Sequence, residues 1–418
     1  MKLHLRLLAV MLLLLCALLL LCACEVSDVT DKVNGIKDDV ASKVDGVKDK
    51  VSNLMTTTTA PPTTAAPITE APPSSGMKYK KNADGSGYTV EGHAGTDKDL
   101  VIAEEYNGLP VVSIMKNAFS GKKTLTSIRI PASVLSVGKG AFGGCSGLIK
   151  AEGGGLYVDT WAIGVGEYVG ALALREGTTG IADGAFLGRD KLTSLALPAS
   201  LKAIGDEAFS GCTALTKITV PAENIAFTVV GDALYTKDMT RLILYFGTGE
   251  SFTVPASVTE IAPCAFRGRS SLKTVTFEAG SAISSIGSYA FADCTSLSAF
   301  SLPKTITRLS EGMLSGCTAL TSFAFPADTA CTAIGIDAFR GCTALAELCV
   351  PAGITEIGTG AFSECGGLAA VHLAVTSGWH VSDRVGNLEI PASRLATPAF
   401  AAAALRDTYS ARAWTRVN

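Results

Sequence analysis

Ile204-Gly-Asp-Glu-Ala-Phe-Ser-Gly-Cys-Thr-Ala-Leu-Thr-Lys-Ile-Thr-Val-Pro221 sets the frame for most of the chain. Ile204 stands five residues before Phe209, and Leu215 six residues after it. The same frame returns around Phe119, Phe142, Phe186, Phe266, Phe291, Phe339 and Phe362, and once around Leu314. Every one of the nine anchors has its leucine, from Leu125 to Leu368, and its aliphatic partner, from Ile114 to Ile357. Most intervals are 23 or 25 residues, and two are longer, at 44 and 57. A period of this size predicts a solenoid, in which each unit buries its apolar side only against its neighbours.

Within a unit, Leu-x-x-Ile-x-Ile-Pro (Leu125 to Pro131) has the spacing of a short strand. Proline stops it, because proline has no amide to donate to the ladder. A tight turn centred on Ala-Phe follows the next aliphatic residue and fills the core. The spacing predicts about nine rungs, with insertions at about 151–180 and 222–254. Strands are expected at Tyr88–Val90 and Leu100–Ile102 before the first rung. Thr397-Pro398 reads as an N-cap and first-turn pair for a helix through Ala401–Leu405, inside a C-terminal cap spanning about 374–418.

The ends of the chain differ from this middle. Lys2 and Arg6 precede an apolar run from Leu7 to Leu21, an export signal at residues 1–23. The run is short for a membrane-crossing helix, which needs about 20 apolar residues. It ends in Leu21-Cys22-Ala23-Cys24, which resembles the bacterial lipoprotein box and implies lipidation at Cys24. Residues 24–55 carry valines at spacings of three and four among charges, which reads as an amphipathic segment lying on the bilayer, a short oligomeric stalk, or a charged, partly helical spacer. Residues 56–76 are rich in Thr, Pro, Ala and Ser, a stiff linker. The folded domain is expected over 77–418.

Without residues 1–23 the chain has 33 Lys+Arg against 38 Asp+Glu, which gives no electrostatic reason for nucleic-acid binding. Cys145, Cys212, Cys294, Cys317, Cys342 and Cys365 all fall three residues after an anchor, while Lys122, Arg189 and Arg269 hold the same slot elsewhere. That pattern predicts a ladder of reduced, buried thiols, with Cys349 exposed on an outward strand position. His93, His372 and His380 lack a catalytic motif, and no spacing marks a metal or cofactor site. Gly138-Lys-Gly-Ala-Phe-Gly143 matches a dinucleotide fingerprint only by sitting in the repeat's turn. Of eighteen outward strand positions, eleven are Ser, Thr or Ala and none is aromatic, so the strand face offers little to anchor a partner. Tyr157, Trp161 and Tyr168 in one insertion, and Tyr235 and Tyr245 in the other, are the candidate anchors. Their alternative role is packing the insertions onto the solenoid.

Ile-Gly-x-x-Ala-Phe-x-Gly-Cys-x-x-Leu-x-x-Ile-x-Ile-Pro, nearly whole at 204–221 and 334–351, resembles the BspA-type leucine-rich repeat. Glu278 and Ala374 depart from it where proline is expected, as does Met313-Leu314 in place of Ala-Phe. The resemblance implies a leucine-rich-repeat solenoid and a bacterial surface protein with a binding or adhesion role. The lipoprotein box adds a lipid anchor on the outer face of the cell membrane, and no motif supports an enzyme. Its partner would be an extracellular protein or glycan, on host matrix or other cells. The alternative is a structural envelope component without a defined ligand.

Overall fold

The computed structural model describes residues 72–417, apart from residues 167, 168, 384 and 385. Cys24, the export signal, the stalk and Tyr168 lie outside the described residues. Among the described residues no helix is long and apolar enough to cross a membrane.

Each rung is two short strands and a corner. A two-residue strand such as Ala203–Ile204 ends on the aliphatic residue, the Ala-Phe corner follows, and a strand such as Lys217–Thr219 completes the rung. Successive rungs pair in parallel and in register, Ile181 on Ile204 and Leu195 on Ile218. The period is therefore converted directly into two rows of stacked strands, an anchor row and an outer row. At the corner, the Phe amide of one rung donates to the alanine carbonyl of the next, as Phe186 does to Ala208 at 2.9 Å. Met313-Leu314 keeps this geometry: both side chains are buried, and Leu314 N donates to Ala338 O.

The corner has a backbone requirement that explains its glycines. The residues two before and two after every anchor have positive φ, as at Glu207 (55°) and Gly211 (78°) around Phe209. Glycine adopts this region freely and other residues at a cost. Where Pro gives way to Glu278 or Ala374, the strand gains a hydrogen bond instead. Glu278 N donates to Val254 O and Ala374 N to Val350 O, both at 3.0 Å.

The solenoid has twelve rungs, three more than the nine that carry the motif. Val90 pairs with Ile114 and Leu100 with Ile128, so the entry strands form a rung of their own. The two long intervals, read as insertions, each contain another rung. Ala162 pairs in parallel with Ile181, and Leu172 with Leu195. Leu242 pairs with Ile261, and Phe252 with Val275. In both, an antiparallel hairpin replaces the Ala-Phe corner: Gly155–Val158 with Trp161–Val165, and Ala233–Thr236 with Arg241–Tyr245. A search keyed to the corner passes over them.

The second hairpin is also a wall between two cores. Leu234, Ile243 and Leu244 pack with the N-terminal apolar cluster, while Ala233, Tyr235, Leu242 and Tyr245 pack with the C-terminal one. Both ends of the anchor row are closed by antiparallel strands, Met77–Lys81 on Tyr88–His93 and Trp414–Arg416 on Glu356–Ile357. The edge of the row thereby passes to Met77–Lys81 at one end and Gly386–Glu389 at the other, and the three lysines of the first discourage pairing with another chain. The C-terminal helix is short: Pro398–Ala403 is α-helical and Ala404–Thr408 forms a π turn. Thr397 occupies the N-cap, but its side chain makes no capping bond.

Candidate functional site

The outer strand row is the continuous presented surface. In Ser127–Arg129, Lys217–Thr219, Ala299–Ser301 and Ser322–Ala324 the middle side chain is buried and both neighbours are exposed. The charges gather toward the ends and on Lys217. Between them, Ser251, Thr253, Thr274, Thr276, Ala299, Ser301, Ser322 and Ala324 make four adjacent rungs without a charge. Thr253 and Thr276 hydroxyls bond each other across this face at 2.9 Å. Two shallow depressions, of about 400 and about 360 Å³, open on this row. Thr276, Phe277, Ser301 and Lys304 line the first; Ala171, Ala173, Ser194, Ala196 and Lys217 line the second. The outward positions of the three rungs without the motif, such as Ala171 and Ser251, belong to this face and were missed for lack of the leucine frame.

Four of the five aromatic candidates are core residues. Tyr157, Trp161, Tyr235 and Tyr245 are no more than 3% exposed, so they do not form an accessible contact surface. Their partners show why. The Trp161 ring lies where a Cβ on Gly180 would be 2.5 Å away, and the Tyr157 and Tyr245 rings lie equally close over Gly155 and Gly247. Arg175 N donates to the Tyr157 hydroxyl, and the Arg175 guanidinium sits 4.4 Å from that ring's centre. Packing the hairpins onto the solenoid is what these rings do.

The thiols form the expected ladder. All six slot cysteines are buried and unbridged. Each Sγ donates to the carbonyl of the preceding anchor, from 2.9 Å at Cys365 to 3.2 Å at Cys342. Burial pushes the Cys212 and Cys365 thiols up to about 11 and Cys294 up to about 12. They are poor nucleophiles and poor metal ligands, because both roles need the thiolate. Cys349 is the exposed one. His93 is buried, bonding the Ser75 carbonyl at 2.9 Å and lying 3.1 Å from Asp97. Among the described residues no group of three or more His, Cys, Asp or Glu is placed to hold a metal ion.

This architecture, parallel strands on a period of 23 to 25 residues, defines the leucine-rich-repeat class. The chain matches the BspA type leucine rich repeat region in six copies, over residues 110–153, 169–237 and 245–369. These segments make up more than half of the sequence, and the chain belongs to that family. Among solved structures it is similar to a leucine rich cell surface protein from Faecalibacterium prausnitzii, 22% identical over 73% of this chain and 94% of that one, TM-score 0.44. It is also similar to a leucine-rich repeat protein from Eubacterium ventriosum, 19% identical over 75% and 98%, TM-score 0.41. A third is the pneumococcal vaccine antigen PcpA, 20% identical over 73% and 82%, TM-score 0.38. No curated protein matches the chain.

Proposed function

We propose that this chain is a non-catalytic binding module displayed on a bacterial surface. It is exported, held to the membrane by lipid on Cys24, and presents its outer strand row to an extracellular protein or glycan. The observation that carries the reading is that two depressions open on this row, where small side chains such as Thr276, Ser301, Ala171 and Ala196 leave room for a partner and Glu278, Lys304 and Lys217 supply charges at its border. The buried hairpin aromatics move the proposed contact from the insertions to the strand face. Small side chains supply few hot spots, so each contact is weak and many molecules on one cell would act together.

Binding of the exported chain to a panel of matrix proteins and glycans tests the reading, with Thr276→Arg and Ser301→Arg as blocking variants. Saturable binding that falls at least tenfold in the variants is expected. No binding across the panel would favour the structural role, and binding untouched by both arginines would move the site off this face. The anchor is tested separately: metabolic lipid labelling should vanish in Cys24→Ala and survive in Cys22→Ala.

A further inference from the structure

Across the outward positions of all twelve rungs there is one cysteine and one histidine, and they are adjacent. Strand Glu347–Val350 pairs in parallel with Ala370–Leu373, with Cys349 opposite His372. Both side chains are exposed on the same face. Neighbouring strands lie about 4.8 Å apart, so in-register side chains on one face stand side by side. Ala370, on the same strand as His372, is small and leaves room around the pair. Elsewhere this column holds Ser, Thr, Ala, a charged residue or, in the entry rung, Val101, whereas an exposed free thiol is an oxidation hazard that surfaces usually avoid.

We propose that Cys349 and His372 form a two-ligand site for a thiophilic divalent cation of the zinc class. Sulfur at about 2.3 Å and imidazole nitrogen at about 2.1 Å are the distances such an ion takes. A pair on adjacent strands reaches both by side-chain rotation alone. The remaining coordination positions face solvent and take water, so the site is open, unlike a closed four-ligand structural site. Binding replaces the Cys349 S–H bond with a metal–sulfur bond and releases one proton to solvent per ion. The slot thiols do not compete in the folded chain, because they are buried and donate to carbonyls.

The full exported chain, kept reduced with a phosphine, is titrated with Cd²⁺ while thiolate-to-metal charge-transfer absorbance and proton release are followed. One ion per chain and one proton per ion are expected, with Zn²⁺ displacing Cd²⁺. Cys349→Ser should abolish the absorbance, and His372→Ala should weaken binding at least tenfold. Thermal melting of both variants should match the parent, since neither side chain is in the core. Absence of the signal in the parent, its persistence in Cys349→Ser, or parent-like affinity in His372→Ala would each overturn the site.

Discussion

The C-terminal core runs through five motif rungs without interruption, from Phe266 to Phe362, whereas the N-terminal core is broken by a hairpin after Phe142. The slot three residues after each anchor records this difference. Where a motif rung directly precedes, the slot holds cysteine, whose short thiol reaches the carbonyl one rung back. Where none precedes, it holds a long cation. Lys122 in the first motif rung reaches Gly95 O at 2.9 Å. Arg189 and Arg269 open the rungs that follow the two hairpins. Arg269, 6% exposed, spans back to the Leu215 carbonyl at 3.1 Å and the Cys212 carbonyl at 3.4 Å. Interruption of the stack is thus read out as a change of side-chain length at one position.

The sharpest way to break this comparison uses two neighbouring residues on the dividing hairpin. Leu234 faces the N-terminal core and Tyr235 the C-terminal core. Large-to-small substitutions at buried sites cost about 3 to 5 kcal/mol, so Leu234→Ala and Tyr235→Ala should both be severe. They should also be severe in different places. Hydrogen exchange should accelerate in residues 90–220 for the first and in residues 250–410 for the second. Uniform acceleration in both variants would mean that the wall does not separate the cores energetically.

Arg269→Met comes next. It keeps an unbranched apolar stem but removes the guanidinium that reaches the buried carbonyls, and bonds to a charged group contribute about 1.5 to 3 kcal/mol each. A loss of about 3 kcal/mol in urea unfolding is expected. Arg189→Met should cost less than half as much, because Arg189 is only half-buried. Equal losses would show that bridging is not what distinguishes the slot.

Both interruptions were legible only as gaps. The period, the anchor row and the strand face follow from the spacing of Ile, Phe and Leu, since parallel in-register stacking converts sequence period directly into contact. The hairpin rungs do not follow, because Ala162 and Leu242 enter the anchor row without a corner to announce them. The aromatics looked like candidate anchors for a different reason. Burial of Trp161 depends on Gly180 lying beneath it, a pairing set by the parallel register and not by any local motif. The small, polar strand face was readable, but nothing in its side chains names a partner.

The thiols sharpen the contrast through pH. Four slot cysteines lie in the C-terminal core and two in the N-terminal core. Burial raises their folded values to about 11 at Cys365 and about 12 at Cys294, from 9.0. A raised folded value means the unfolded chain loses its thiol proton first as pH increases. Stability from each thiol is therefore complete below pH 9 and is lost from there up to its folded value. The loss is at most about 1.4 kcal/mol per pH unit for each group. Alkaline unfolding should begin in the C-terminal core, and Cys294→Ala with Cys365→Ala should flatten its pH dependence above 9. An alkaline limb unchanged in that double variant would assign the effect to other groups, Tyr235 among them.

The smallest effect concerns the corner backbone, where two C-terminal rungs depart from glycine. Asp293 and Glu364 hold the position two after the anchor at φ of 60° and 63°. Each carboxylate pairs with an arginine one residue past the preceding anchor, Arg267 at 3.1 Å and Arg340 at 2.6 Å. Left-handed backbone costs an ordinary residue about 1 to 2 kcal/mol, and less for Asp, whose short polar chain tolerates it. Exposed ion pairs return about 0 to 1 kcal/mol. For Glu364 the strain exceeds the pair, so Glu364→Gly should stabilise by about 0.5 kcal/mol despite the extra freedom of glycine in the unfolded chain. For Asp293 the terms nearly cancel, and Asp293→Gly should leave the melting temperature within error. A destabilised Glu364→Gly would instead show that the ion pair, not the backbone, dominates the uninterrupted stack's surface.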